Sequence, residues 1–481
     1  MKCNTVVRNM AALLLSATLC GPAYAGSRAE AVQPPKLASF SDEPAQHTPA
    51  QVAALAAWWK QFKDPQLQAL VELAIASNMD VQVARARLAE SRASLGNTRA
   101  SQQLPTINVD GSYAHTRTSA DNPQVITLGG STTSVPYVYN SYQAYFDASY
   151  EIDLFGGVRN SVRAARADAD SSADSLRNTI ISTMAEVARD YIQLRQYQEQ
   201  LRIAHSQEAS QQDTLHLIEV RNRAGLVSDL DVASARATLA STQTNVPQLE
   251  SKIEQEKHAI ALLLGKTPRE LDESLGEAKP IPTAENSIPA GLPSELLRRR
   301  PDIRAAEDDV KAAAARVGVQ VSKLFPSISL TAEWGGQSAS NLGNLADSAA
   351  RFYSIGPTVQ WGLLNYPALK KNIRIYQSRR DQKVLTYQKT VLTAFQEVED
   401  SLTAYHKEVQ REKLLKNETA QYQRAYDLAL AKYTRGLTNY LNVLEAQRSL
   451  YTAQDALAVS QGTVQTDLVA FYKALGGGWE H

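Results

Sequence analysis

Residues 142–154 alternate: Tyr142, Ala144, Phe146, Ala148, Tyr150 and Ile152 fall on one face, Gln143, Asp147, Glu151 and Asp153 on the other. Period two over that length predicts a strand with one apolar and one wet face. Beyond Phe155-Gly156-Gly157 the period lengthens. Leu176, Ile180, Met184, Val187, Tyr191, Leu194 and Leu201 recur every three or four residues, the seam of a helix packed on other helices. No proline lies between Pro136 and Pro247, and no glycine between Gly157 and Gly225. Some 65 residues of uninterrupted helix reach roughly 100 Å. A compact enzyme domain has no use for a helix that long.

Upstream, Leu67, Leu70, Val71, Ala74, Val81, Ala84 and Leu88 predict a helix from Pro65 to about Arg99, stopped by Leu104-Pro105-Thr106. Ile107, Val109, Gly111 and Tyr113 alternate as a strand, and residues 117–140, rich in Ser, Thr, Gly, Asn and Pro, predict a loop. The long helix ends in a turn over 221–231, with Gly225 suited to a C-cap and Ser228 or Asp229 to the next N-cap. A second helix follows from about Leu230 to Leu264, and residues 268–293 form a Pro-rich connector.

The pattern then repeats. Asp80 answers to Asp302, and Leu104-Pro105-Thr106-Ile107 to Phe325-Pro326-Ser327-Ile328. Ile328, Leu330, Ala332 and Trp334 alternate; after a loop over 335–351, so do Tyr353, Ile355, Val359 and Trp361. From there the register locks at an offset of 211: Arg163 with Arg374, Glu186-Val187 with Glu397-Val398, Gly225-Leu226 with Gly436-Leu437, Leu264-Gly265 with Leu475-Gly476. Such an offset predicts internal duplication with helical hairpins of equal length. The first copy spans 66–267, with a β-hairpin at 106–154 and a helical hairpin at 158–264. The second spans 294–476, with a β-hairpin at 327–363 and a helical hairpin at 369–475, leaving 477–481 as coil.

Composition narrows the function. Fifty basic and fifty acidic side chains cancel, which argues against nucleic acid as a partner. Residues 1–25 read as a secretory signal: Lys2 and Arg8, an apolar run too short to span a bilayer, then Ala23-Tyr24-Ala25. Cleavage there removes both cysteines, Cys3 and Cys20, and with them any thiol chemistry. Cys20 has a rival reading as a lipid-attachment cysteine, although Leu19 stands where such signals carry a small residue. Residues 26–65 predict an extended lead-in whose Trp58-Trp59 cluster either packs on the body or meets a membrane interface.

Each copy thus supplies two strands of about ten residues, enough to cross an outer membrane when tilted. Four strands cannot close a barrel, and an open edge cannot sit in lipid. Several chains must share one barrel, and three chains of four strands give twelve, with room for a pore. The expected fold is mainly α with a membrane β-barrel part: two β-hairpins per chain, and long helical hairpins forming an α-barrel. Export signal, shared barrel and long helices together describe a conduit.

Two segments, Tyr150-Glu151-Ile152-Asp153-Leu154-Phe155-Gly156-Gly157-Val158-Arg159 and Leu297-Arg298-Arg299-Arg300-Pro301-Asp302-Ile303-Arg304, with Phe325-Pro326-Ser327-Ile328 and the two Gly-Leu turns, carry a resemblance over nearly all of the mature chain. The chain resembles the TolC-like outer-membrane factors of tripartite efflux systems, within them the NodT-type lipoprotein subfamily that serves resistance-nodulation-division pumps. The resemblance implies a homotrimer in outer-membrane lipid with a long periplasmic extension. It also implies docking to a periplasmic adaptor and an inner-membrane pump, and export of small molecules. Two other readings stay open: a duct for protein secretion by an ATP-driven exporter, and a periplasmic coiled-coil scaffold.

The candidate site is the pair of hairpin turns. Arg221, Arg223, Asp229 and Asp231 crowd one; Tyr433, Arg435 and Tyr440 crowd the other. In a threefold assembly these become rings that either gate the entrance or remain solvated helix caps. Gly225, Leu226, Gly436 and Leu437 are the expected adaptor contacts. Tyr353, Ile355, Val359 and Trp361 form the expected lipid-facing stripe. The basic run 297–307 reads better as a helix start tied to neighbouring elements than as a ligand patch. The seven histidines have no metal-binding spacing, and neither a nucleophile elbow nor a phosphate loop is present. No catalysis, metal or cofactor is expected.

Overall fold

The computed structural model describes residues 56–119, 121, 125–128, 131–134, 137–284 and 299–479. The signal segment with Cys20, most of the 26–65 stretch, residues 285–293 of the connector, and Leu297 and Arg298 lie outside the described residues. The elements are α1 (Pro65–Ser77), α2 (Met79–Gln103), β1 (Thr106–Arg117), β2 (Val125–Leu128), β3 (Ser131–Ser134), β4 (Val138–Glu151), α3 (Gly157–Arg223) and α4 (Asp229–Leu263). They continue with α5 (Asp272–Gly276), α6 (Pro301–Ser322), β5 (Ser327–Ser338), β6 (Arg351–Gln360), α7 (Tyr366–Thr434) and α8 (Tyr440–Ala474). Two compact units result. A strand unit is built on Glu90–Asp170 and Glu307–Thr386, and a hairpin unit on Ser171–Ala306 and Tyr387–His481 with α1.

In the strand unit one antiparallel sheet runs β1-β4-β5-β6, so the two predicted hairpins pair through β4 and β5. The register builds two continuous faces. Val109 lies opposite Phe146, Phe146 opposite Trp334, and Trp334 opposite Tyr353. Ile107, Ala148, Ala332 and Ile355 form the next apolar row. The other face carries Asn108, Asp147, Glu333 and Ser354 in one row. The apolar face is not a core: Tyr353 is 80 % exposed, and Val109, Trp334 and Ile355 are exposed with it. Strands β1 and β6 each have one neighbour in this sheet and leave their outer edges unpaired among the described residues. The sequence-predicted loops are shorter than expected, because β1 runs to Arg117, β4 starts at Val138 and β5 continues to Ser338. Within the first of them β2 and β3 form a separate ladder. Trp361 falls just past β6, where its indole N–H donates to the Leu324 carbonyl at 3.2 Å.

The hairpin unit holds the buried core. Met184, Val187, Tyr191 and Leu194 of the predicted α3 seam are fully buried, while Leu176, Ile180 and Leu201 are half-buried. The predicted helix 65–99 is two helices. Asn78 leaves the helical region, its side chain accepts from Val81 N at 3.1 Å, and its amide donates to the Leu263 carbonyl at 2.8 Å. An asparagine that caps the next helix competes with continuation of the first. Trp58, Trp59 and Phe62 are buried, with Trp58 stacked 5.7 Å from Tyr472, so the aromatic cluster packs on the body. Arg300 is buried at the start of α6, donating to the Ala474 carbonyl at 2.7 Å and to Asp302 and Glu397, and Arg304 pairs with Asp174 at 3.3 Å. The structural reading of that basic run is what these contacts describe. Residues 477 and 478 of the terminal coil are buried, and Gly478, at φ 105°, packs against Met184 and Trp58.

Pattern reading missed a polar band inside α3. Arg195, Gln196, Gln198, Gln200, Gln207 and Gln211 are all buried. Arg195 donates to Gln66 Oε1, Gln198 Oε1 and the Glu277 carbonyl, tying α3 to α1 and the connector, and Gln200 donates to Asp455 of α8 at 2.7 Å.

Candidate functional site

The two hairpin turns are built on the same backbone. At the end of α3, Gly225 has φ 74°, Gly225 N–H donates to the Asn222 carbonyl at 2.8 Å, and Leu226 N–H reaches back to Arg221 at 3.0 Å. At the end of α7, Gly436 has φ 73°, Gly436 N–H donates to Tyr433 at 3.0 Å, and Leu437 N–H to Lys432 at 2.9 Å. This left-handed cap satisfies the last carbonyls of a helix and requires glycine for conformational reasons. Each turn then restarts a helix on a polar cap: Ser228, in a reciprocal box with Asp231, and Asn439, which accepts from Asn442 N–H at 3.3 Å.

Both turns leave their second residue in solvent: Leu226 is 73 % exposed and Leu437 71 %. Leu230 and Leu441, again 211 positions apart, are exposed beside them. Sequence reasoning did not single out this second pair, although the repeat offset was its signal.

The charged candidates do not pair with one another within the chain. Asp229 accepts from the Asn222 amide at 3.0 Å, and Asp231 is held in the cap of α4. Arg223 and Arg435 are exposed and form no ion pair among the described residues. Arg221 instead reaches the second turn. Its guanidinium donates to the carbonyls of Tyr433 at 2.8 Å and Thr434 at 2.6 Å, and lies 4.6 Å from the centre of the Tyr433 ring. A cation at the carbonyl end of α7 complements the helix dipole, adding a second bond to the Tyr433 carbonyl that Gly436 already caps and supplying a donor for that of Thr434.

Tyr433 and Tyr440, expected at an entrance, are core residues of one chain, 2 % and 4 % exposed. Their rings lie 6.0 Å apart and pack with Ile218, Ala235 and Val443, joining the two hairpins next to their turns. Burial pushes both phenols up, Tyr440 to about 12, so both are neutral at physiological pH. The Tyr433 hydroxyl is buried without a hydrogen-bond partner among the described residues.

The second candidate surface is the apolar strand face. Tyr353, Ile355 and Val359 are exposed on one side of β6, and Trp361 is exposed just beyond it. No described helix is long and apolar enough to cross a membrane, and no metal-binding cluster exists among the described residues.

The family model "Outer membrane efflux protein" matches residues 70–266 and again 292–477. The antibiotic efflux pump outer membrane protein ArpC of Pseudomonas putida is 32 % identical over 483 residues, covering 98 % of this chain and 96 % of its own. The toluene efflux pump outer membrane protein TtgI of Pseudomonas putida is 33 % identical over 422 residues, covering 87 % and 86 %. Among solved structures, the outer-membrane channel OprN matches with a TM-score of 0.82 at 32 % identity, over 94 % of this chain and 100 % of that one.

Proposed function

From the premise that the chain belongs to the outer membrane efflux protein family and is the outer-membrane channel component of an efflux pump, we propose that three copies close one barrel, each contributing the sheet β1-β4-β5-β6. The observation that carries this reading is the sheet itself. A four-stranded sheet with both edges unpaired and an exposed apolar face is unstable in water and in lipid unless other copies pair its edges. Three times four strands gives twelve, the apolar face meets lipid through Tyr353, Ile355, Val359 and Trp361, and the polar face lines a pore.

In the proposed assembly α3 and α7 run from the barrel into the periplasm, and their turns meet a periplasmic adaptor that links the channel to an inner-membrane pump of the resistance-nodulation-division class. Gly225-Leu226 and Gly436-Leu437 present paired leucines for that contact. Arg223, Asp229 and Arg435 are the charges left to face neighbouring copies or solutes at the entrance, with Arg221, Asp231, Tyr433 and Tyr440 holding each chain's turns together behind them. The chain performs no chemistry. It conducts small molecules passively once the entrance opens.

Native mass measurement of the complex extracted from outer membranes in mild detergent tests the assembly. A trimer that needs detergent is expected, whereas a monomer released by aqueous buffer rejects the shared barrel. For docking, the paired variant L226E/L437E should leave the trimer intact and abolish export; normal drug tolerance in cells carrying it would remove the turns from the adaptor contact.

A further inference from the structure

The four junctions between helices and sheet share a feature that barrel closure does not use. Each exposes large apolar side chains: Leu104 before β1, Leu154 and Phe155 after β4, Phe325 before β5, and Trp361, Leu363 and Leu364 after β6. Phe155 and Phe325 stack 4.7 Å apart and 8° from parallel, so the two copies meet at this level. Leu364 is 97 % exposed. Aromatic and leucine side chains at the end of a lipid-facing strand mark an interface between hydrocarbon and headgroups.

Next to that belt, the exposed charge left without an ion pair among the described residues is mostly cationic, Glu151 at the end of β4 being an acidic exception. Asp153 accepts from Arg159 at 3.1 Å, Asp168 is taken by Arg316, and Asp170 lies 4.0 Å from Arg166. Arg99, Lys323, Lys370, Lys371 and Arg374 are exposed and pair with no carboxylate among the described residues. Three of these five occupy the first turns of α7, where Lys370 also lies 4.7 Å from the Tyr366 ring. The corresponding turns of α3 hold Arg159, Asn160 and Arg163 in place of Lys370, Lys371 and Arg374, with Asp153 against Arg159. The second copy alone has an unneutralised cluster.

We propose that the first turns of α7 bind the acidic headgroups of glycerophospholipids in the periplasmic leaflet. This rests on the reading that β6 faces lipid, because the leaflet is then continuous with the strand that α7 leaves. Measured along the helix, Lys370 and Arg374 lie about 6 and 12 Å from its start, and the screening length at physiological salt is about 8 Å. Ammonium and guanidinium groups at that depth attract phosphate, while Trp361, Leu363 and Leu364 hold the acyl boundary. A layer that is only zwitterionic gains nothing from the cluster.

The test is native mass spectrometry of the purified trimer in neutral detergent with equal amounts of phosphatidylglycerol and phosphatidylethanolamine. Preferential retention of phosphatidylglycerol is expected, falling about tenfold in K370Q/K371Q/R374Q and weakening with salt. The charge-keeping variant K370R/K371R/R374K should retain the preference, since a headgroup layer reads charge more than shape. Equal retention of both lipids by the wild type overturns the proposal, as does preference that survives the glutamine variant. Dissociation of the glutamine trimer without lipid overturns it too, by assigning the cations to a neighbouring copy. A protein that is monomeric without detergent fails the barrel reading itself, an outcome separate from these.

Discussion

The two turns have one backbone and two interiors. The offset that pairs Gly225 with Gly436 also pairs Asn222 with Tyr433, Asp229 with Tyr440, and Arg221 with Lys432. In the first turn the Asn222 amide donates to Asp229 and to the Val227 carbonyl, so the turn is fastened by its own side chains. In the second the same two positions hold tyrosines, which leave the turn and pack into the cluster that joins the hairpins. The first turn then supplies Arg221 to close the carbonyl end of the second. Duplication kept what the backbone requires and what the solvent side presents, and let the interior diverge until one turn depends on the other.

The largest test of that asymmetry truncates its two versions of one position. Tyr433→Ala opens a cavity in a buried cluster and should cost about 3–5 kcal/mol, read as a hundredfold or greater loss of hydrogen-exchange protection around the second turn. Asn222→Ala removes two hydrogen bonds at a half-exposed site, worth about 1 kcal/mol, and should loosen only the first turn. Equal losses at both turns in either variant would mean that the hairpins open as one unit, and the asymmetry would fail.

Arg221→Ala comes next. Two charge-assisted bonds to helix-terminal carbonyls and a ring contact sum to about 2 kcal/mol, so exchange in the last turn of α7 should accelerate about thirtyfold. Lys432→Ala, at the equivalent exposed position, should stay within about 0.5 kcal/mol. If Arg221 also restrains the entrance, R221A raises the resting conductance of the reconstituted channel and K432A does not. The reverse order of the two variants would reject the dependence of the second turn on the first.

Much of this was legible in the sequence because periodicity and repetition are local signals. The long helices, the strand faces, the glycine caps and the equal hairpins follow from spacing alone, and the structure places each within a few residues. What spacing cannot convey is which neighbour a side chain meets. Arg221 reads as one more charge in a turn until the carbonyls of Tyr433 and Thr434 are seen beside it. Tyr433 and Tyr440 read as entrance residues because they lie in a hairpin turn, yet they are covered by a hairpin more than 200 residues away in sequence. The break at Asn78 was hidden because an asparagine at a helix start and one within a helix look alike until the capping bond to Val81 forms.

The last expected effect concerns a feature the copies still share. Glu256 of α4 and Asp467 of α8 are 211 positions apart, and both are carboxylic acids whose burial favours the neutral form. Burial is the main cause, and a second acid adds to it: Asp190 for Glu256, Glu408 for Asp467. Together they push Glu256 up to about 7 and Asp467 to about 6. At these two groups the folded chain therefore keeps protons that the unfolded chain has released, and their contribution to stability falls as pH rises through this window. The contribution of these two groups is full below the ordinary carboxylate range and declines until both are ionised. Thermal unfolding of the hairpins should occur at a higher temperature at about pH 5 than at about pH 8. Glu256→Gln should remove the upper part of that slope and Asp467→Asn the lower, each stabilising at the alkaline end and neither at the acidic end. A transition temperature that climbs with pH, or a slope that survives both substitutions, would show that these acids are solvated rather than held neutral between the helices.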